Sequence, residues 1–194
     1  MTEQRYNKIK KVVLQRQRYL TIVLENIHDP HNVSAVLRSC DAVGIDKVYL
    51  IYNTNKFPKI GRVSSASAKK WVELAKFKSV DECFTELKKE KYKIYSTHIS
   101  ESGKNKSLYD FDLTKKVAIV FGNEHAGVTD EVKMKSDGNL IIPMYGMIQS
   151  LNISVSVAVC LYEALRQREA KGMYKKSACT KKELKTKLDY YLNK

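Results

Sequence analysis

The 194-residue chain has few residues that interrupt regular structure: eight glycines and three prolines. It has no internal repeat and no low-complexity linker. With 43% hydrophobic and 29% charged residues it is long enough to bury a core, so one principal domain with terminal appendages is expected. Only four cysteines occur, Cys40, Cys83, Cys160 and Cys179, scattered without a CxxC or a Cys/His pair at metal-ligand spacing. They read as reduced thiols, and no metal site is expected. No run of 18 or more apolar residues exists, and the N-terminus is polar and basic without an apolar core, so neither membrane spanning nor export is indicated. A cytoplasmic location is the expectation. The P-loop, GxGxxG, HExxH and nucleophile-elbow signatures are all missing, which removes the common nucleotide, metalloprotease and serine-hydrolase readings.

What is abundant is positive charge, +14 net. Residues 1–19 carry six Lys and Arg against one acid and residues 171–194 carry eight against two, so the ends hold 11 of the 14 excess charges. A near-neutral middle flanked by basic ends points to a polyanionic partner, nucleic acid before membrane.

Short apolar runs rich in β-branched and aromatic residues at 20–24, 48–52, 92–97, 117–121 and 140–142 read as buried strands. Helical patterns at 32–43, 80–89, 129–135 and 151–168 fall between or after them, which implies an α/β fold with a largely parallel sheet and helices on both faces. In the first helix Val33, Val36, Leu37 and Cys40 form one apolar stripe, Arg38 projects from the opposite side, Asn32 is the expected N-cap and Gly44 the residue that closes it. The helix from about Leu151 is apolar around most of its first half, so it should be buried on several sides, within the domain or against a second subunit. Both chain ends look helical, with Thr180 and Glu183 at capping-box spacing.

Polar residues cluster where strands end, the place where open α/β sheets bind ligands. They form three stretches: HNVSAVLRS at 31–39, FGNEHAG at 121–127 and IPMYGMIQSLNIS at 142–154. Gly122, Gly127 and Gly146 suit tight turns whose backbone can face a ligand. Alone, each is more often ordinary turn chemistry, and His28, His31, His98 and His125 read as ordinary polar residues.

Taken together and in this order, the stretches resemble the SpoU/TrmH family of knotted RNA ribose methyltransferases. Its first motif stands as Asn32, Ala35 and Arg38, its second as VAIVFGNEHAG with Gly122 and Glu124, its third as IPM-x-G-x-x-QSLN-x-S at 142–154. The resemblance runs from about Leu20 to Gly172. PHNVSAVLRS before DAVG, and LYEALRQR after the third motif, favour the tRNA guanosine-18 branch over relatives directed at ribosomal RNA. Two departures spare the motif positions: Cys40, where Ala is common, and His125-Ala126 after Glu124.

The resemblance implies an α/β-knot, a trefoil-knotted Rossmann-like domain at 20–172, between basic helical segments at 1–19 and 173–194. It implies S-adenosylmethionine as cofactor, held by Thr97, Gly122, Ile142 and Leu151 largely through backbone groups. It sets Asn32, Arg38, Glu124, Ser150 and Asn152 on the reaction side, where a methyl group passes to a ribose 2′-hydroxyl of tRNA, with guanosine 18 of the D-loop the expected target. A homodimer is implied as well. A SpoU-class enzyme with another RNA target and a non-catalytic RNA-binding module are the competing readings, and intact Arg38, Glu124 and Asn152 count against the second.

Overall fold

The computed structural model describes residues 1–54, 56–57, 68–100, 103 and 105–194. In chain order the elements are α1 (Glu3–Gln15), β1 (Leu20–Glu25), α2 (Pro30–Ala42), β2 (Lys47–Ile51), α3 (Ala68–Trp71), β3 (Glu73–Phe77), α4 (Val80–Lys89), β4 (Lys93–Ser96), β5 (Lys106–Ser107), β6 (Val117–Phe121), α5 (Asp130–Lys135), β7 (Gly138–Ile141), α6 (Ile153–Ala170) and α7 (Lys181–Leu192). The strands form one sheet in the order β3-β2-β1-β6-β4-β7-β5, and the paired strands run parallel.

Burial on both faces explains why the central strands are continuous apolar runs. In β1, Leu20, Ile22 and Leu24 face the cluster that holds Val33, Val36 and Leu37 of α2 and Val157, Cys160 and Leu161 of α6. Val23, on the alternate side, joins Val80, Cys83, Phe84 and Leu87 of α4 and Val132 of α5. The same alternation runs through β6, with Ile119 and Phe121 on the first face and Ala118 and Val120 on the second.

The expected strands and helices are all present, with ends shifted by a few residues; α4 has the expected bounds. Two strands were not anticipated. Glu73–Phe77 lies at one edge with a half-exposed, mixed sequence, and Lys106–Ser107 is a two-residue strand at the other edge. One cap is corrected: Asp29, not Asn32, caps α2, its carboxylate accepting from the His31 N–H, with Pro30 at the first helical position. Gly44 follows that helix with φ +82°, as its closing role requires. Thr180 and Glu183 form a capping box at the start of α7.

The chain ends meet. Ile9 and Val13 of α1 pack with Tyr191 of α7, Leu184 and Leu188. Arg16 and Arg168, both counted as charges in the sequence, are buried instead. Arg16 reaches Asp41 at 2.6 Å and the carbonyls of Ile45 and Trp71. Arg168 donates to the carbonyls of Leu113, Tyr19 and Lys115 and to Gln17, and burial lowers its pKa to about 10.

Candidate functional site

From β1 the chain leaves through α2 to β2 on one side; from neighbouring β6 it leaves through α5 to β7 on the other. The crevice beyond the carboxyl ends of β1 and β6 is therefore the topological switch point of the sheet, where ligands of open α/β folds bind. A cavity of about 890 Å³ lies at this end, lined by the turns that follow β4, β6 and β7.

The turn after β6 is built by backbone closure. Asn123 and Gly127 exchange two hydrogen bonds of 2.9 Å, and the Asn123 side chain accepts from the His125 N–H at 2.9 Å. Gly127 has φ +68°, and a Cβ on Gly122 would sit 2.0 Å from the Gly127 carbonyl carbon. Glycine at 122 is thus required by the close return of the chain. Asn123 also donates to the carbonyl of Asn26 at 2.8 Å, tying the turn to the end of β1. Asn26 itself has φ 51° and anchors Asn53 and Thr54 through its side chain. Asn26 did not stand out in the sequence, although an Asn after a buried strand suits the left-handed region.

Glu124 is the hub. Its carboxylate accepts from the backbone N–H of His28 and Asp29, at the entry to α2, and from the Asn32 amide at 2.9 Å. Burial opposes its ionised form, but the Asn32 amide and the backbone donors of His28, Glu124 and Asp29 prevail and hold its pKa below the ordinary value. Asn152 then joins this hub: its amide donates to the Asn32 oxygen at 3.1 Å while its own oxygen caps α6 by accepting from Ser154. The three motif stretches, far apart in the chain, are thereby joined through Asn32, Glu124 and Asn152.

Of the expected site residues, Thr97, Gly122, Ile142 and Leu151 all line the cavity, as do Glu124, Ser150 and Asn152. Asn32 reaches it only through Glu124 and Asn152. Arg38 does not line it. Because β1 and β2 are parallel, α2 runs back along the sheet, and six residues from Asn32 to Arg38 carry the Arg38 backbone about 9 Å down the helix axis, away from the cavity. Arg38 is exposed and makes no hydrogen bond or ion pair among the described residues. His98, unremarkable in the sequence, lines the cavity with Nδ1 3.1 Å from the Ser96 hydroxyl; burial and then Lys133 lower its pKa.

Around the mouth, Tyr145 and Met147 are each 99% exposed, and Ile148 is exposed with them. Along α6, Val155 is 47% exposed and Tyr162 is also exposed, whereas Val157 is fully buried within the domain. Among the described residues there is no helix long and apolar enough to cross a membrane and no group of three or more His, Cys, Asp or Glu able to hold a metal ion.

Sheet, switch point and cavity define the class: an α/β domain with a ligand-sized cavity walled by the turns at the carboxyl edge of a parallel sheet. Residues 19–162 match the model of the SpoU rRNA Methylase family, and the chain belongs to that family. It is 42% identical over 173 residues to the tRNA (guanosine(18)-2′-O)-methyltransferase of Thermus thermophilus, covering 89% of this chain and 88% of that protein. The structure is similar to that of the A. aeolicus TrmH/SpoU tRNA modifying enzyme, with TM-score 0.90, 35% identity and coverage of 98% and 96% of the two chains. It is also similar to the SpoU methyltransferase AviRb from Streptomyces viridochromogenes in complex with the cofactor AdoMet, with TM-score 0.69, 25% identity and coverage of 80% and 60%.

Proposed function

We propose that this protein transfers the methyl group of S-adenosylmethionine to the 2′-hydroxyl of guanosine 18 in the D-loop of tRNA, in the cytoplasm. The observation that carries the reading is one cavity lined by the second and third motif stretches, to which the first is tied through Asn32, Glu124 and Asn152. The T. thermophilus and A. aeolicus relatives support the choice of tRNA.

The residues present fit such a cofactor. The Gly122 turn, closed tightly against Gly127, brings backbone groups to the cavity wall, and Phe121, Leu140, Ile142 and Leu151 give apolar walls beside the polar edges of Thr97 and Ser150. When bound, the cofactor supplies an electrophilic methyl carbon on a sulfonium. Thr97, Gly122, Ile142 and Leu151 hold it, largely by backbone groups. Transfer is an in-line displacement, so the ribose oxygen must be aligned and its proton removed. Glu124, Asn32 and Asn152 hold the motif turns in mutual register, and Ser150 lines the reaction side. Arg38 grips the reacting hydroxyl and an adjacent phosphate through forked hydrogen bonds.

The position of Arg38 outside its own cavity supports a homodimer in which each protomer lends Arg38 to its partner's site. The apolar residues Tyr145, Met147, Ile148, Val155 and Tyr162 are the expected interface, since exposed apolar surface of this kind marks association. A knot is part of the same reading, and the place of β7 between β4 and β5 in the sheet supports it.

Nucleoside mass mapping of tRNA from cells with and without the gene tests the reading. Loss of 2′-O-methylguanosine at position 18 is expected. Intact methylation there, with loss of a methyl group in ribosomal RNA, would favour the other RNA target.

A further inference from the structure

A second cavity, about 360 Å³, opens at the opposite end of the sheet, between α7 and the residues that lead into β2 and β3. The strands are about 17 Å long at about 3.3 Å per residue, so this cavity is remote from the methyl-transfer site. Its size falls within the range of small-ligand clefts, about 300–1,000 Å³.

Three aromatic rings, Trp71, Tyr190 and Tyr191, line it among charged side chains. Tyr191 is buried and forms the floor, with the Trp71 ring 5.4 Å away at 53° and the Tyr190 ring 6.0 Å away at 55°. Tyr190 is 59% exposed, so its ring is not needed for the core beneath it. The lining acids are already matched: Asp46 pairs with Lys187, Glu183 with Arg18 at 2.8 Å, and Glu73 with Lys47 at 3.9 Å. Lys182 and Lys194 also line it, with the Lys194 Nζ 4.1 Å from the Tyr190 ring centroid, so the slot carries positive charge. Around it the surface is cationic, with Lys181, Lys182 and Lys185 exposed on α7 and Lys8, Lys10 and Lys11 exposed on α1, which packs against α7.

An aromatic slot with lysines in its wall and around it matches the chemistry of single-stranded nucleic acid: cations track the phosphates while a base stacks on a ring. We propose that this cavity takes an unpaired nucleobase of the RNA substrate, stacked on Tyr190 beside Trp71, and so anchors the RNA far from the ribose being methylated. The proposal rests on the tRNA reading above. It gives the two basic chain ends one shared role, because α7 lines the pocket and α1 packs against α7.

Trp71 is the only tryptophan in the chain, so its emission reports on this cavity without a label. The full-length protein is titrated with an unmodified tRNA transcript at constant salt, and binding is measured in parallel by filter retention. Saturable quenching of Trp71 with the same Kd is expected. Tyr190→Ala should weaken tRNA binding about 5- to 100-fold and raise KM for tRNA, with kcat at saturating tRNA and S-adenosylmethionine affinity unchanged. Tyr190→Phe keeps the stacking face and should restore wild-type affinity. If the wild type methylates tRNA while Trp71 emission stays constant at saturation, or Tyr190→Ala binds as wild type does, the pocket proposal is overturned and the enzymatic reading stands. If the wild type neither binds nor methylates tRNA, both fall.

Discussion

Replacing Gly122 by alanine tests how the cofactor turn is built. The added methyl would lie 2.0 Å from the Gly127 carbonyl carbon and 2.1 Å from both the Gly127 oxygen and the Val128 nitrogen. These are backbone atoms, which no rotamer change can move aside. Ordinary van der Waals separation requires the two arms of the turn to part by more than about 1 Å. That opens both 2.9 Å hydrogen bonds between Asn123 and Gly127. Two hydrogen bonds at about 0.5–1.5 kcal/mol each, with about 1–3 kcal/mol for overpacking, give a destabilisation of about 2–6 kcal/mol. Urea unfolding measures the loss of stability, and calorimetric titration with S-adenosylhomocysteine measures the loss of cofactor affinity. A variant within about 0.5 kcal/mol of wild type that binds the ligand equally well would refute the close-approach argument.

Arg38→Ala should reduce turnover on the order of 100-fold or more while leaving S-adenosylmethionine affinity unchanged, since Arg38 lies outside the cavity. Mixing it with a cavity-blocked variant such as Leu151→Arg should restore activity through heterodimers, and a mixture that stays inactive would exclude a shared site. Val155→Glu should yield a less active monomer in sedimentation, because Val155 is surface-exposed; Val157→Glu, in the core, should instead fail to fold. An active dimeric Val155→Glu protein would remove that face from the interface. Glu183 has its pKa lowered to about 2 by the Thr180 backbone N–H, the Thr180 hydroxyl and Arg18. Its contribution to the α7 terminus is therefore fully present above the usual carboxylate range and is lost as pH falls toward about 2. Trp71 emission should follow this acid transition, and an identical profile in Glu183→Gln would show that Glu183 plays no part.

The central sheet was legible because its strands are buried on both faces and leave unbroken apolar runs. α4 was legible to the residue: Ser79 caps it, Asp81 and Glu82 occupy its first turn, and Lys88 and Lys89 its last. Edge strands carry no such signal, and Glu73–Phe77 alternates polar and apolar residues weakly enough to pass as a connection. Asn32 resembled a cap because it precedes the apolar stripe; the Asp29-Pro30 pair carried the real signal. Within the site, Gly122 and Glu124 were visible as a motif, but the partners of Glu124 at His28, Asp29 and Asn32 lie more than ninety residues away and only the fold brings them together. Charge counting treated Arg16 as a free surface cation, whereas its carbonyl partners and Asp41 keep it inside. Likewise the apolar first half of α6 held two populations, core residues such as Val157 and exposed ones such as Val155, that periodicity alone did not separate.

Methyl transfer to one ribose hydroxyl is tested most directly with purified protein, methyl-labelled S-adenosylmethionine and two synthetic tRNAs that differ only by a 2′-deoxyguanosine at position 18. Label should enter the ribose of guanosine 18 in the first tRNA and be absent from the second. Equal labelling of both tRNAs, or no labelling of either, would contradict it.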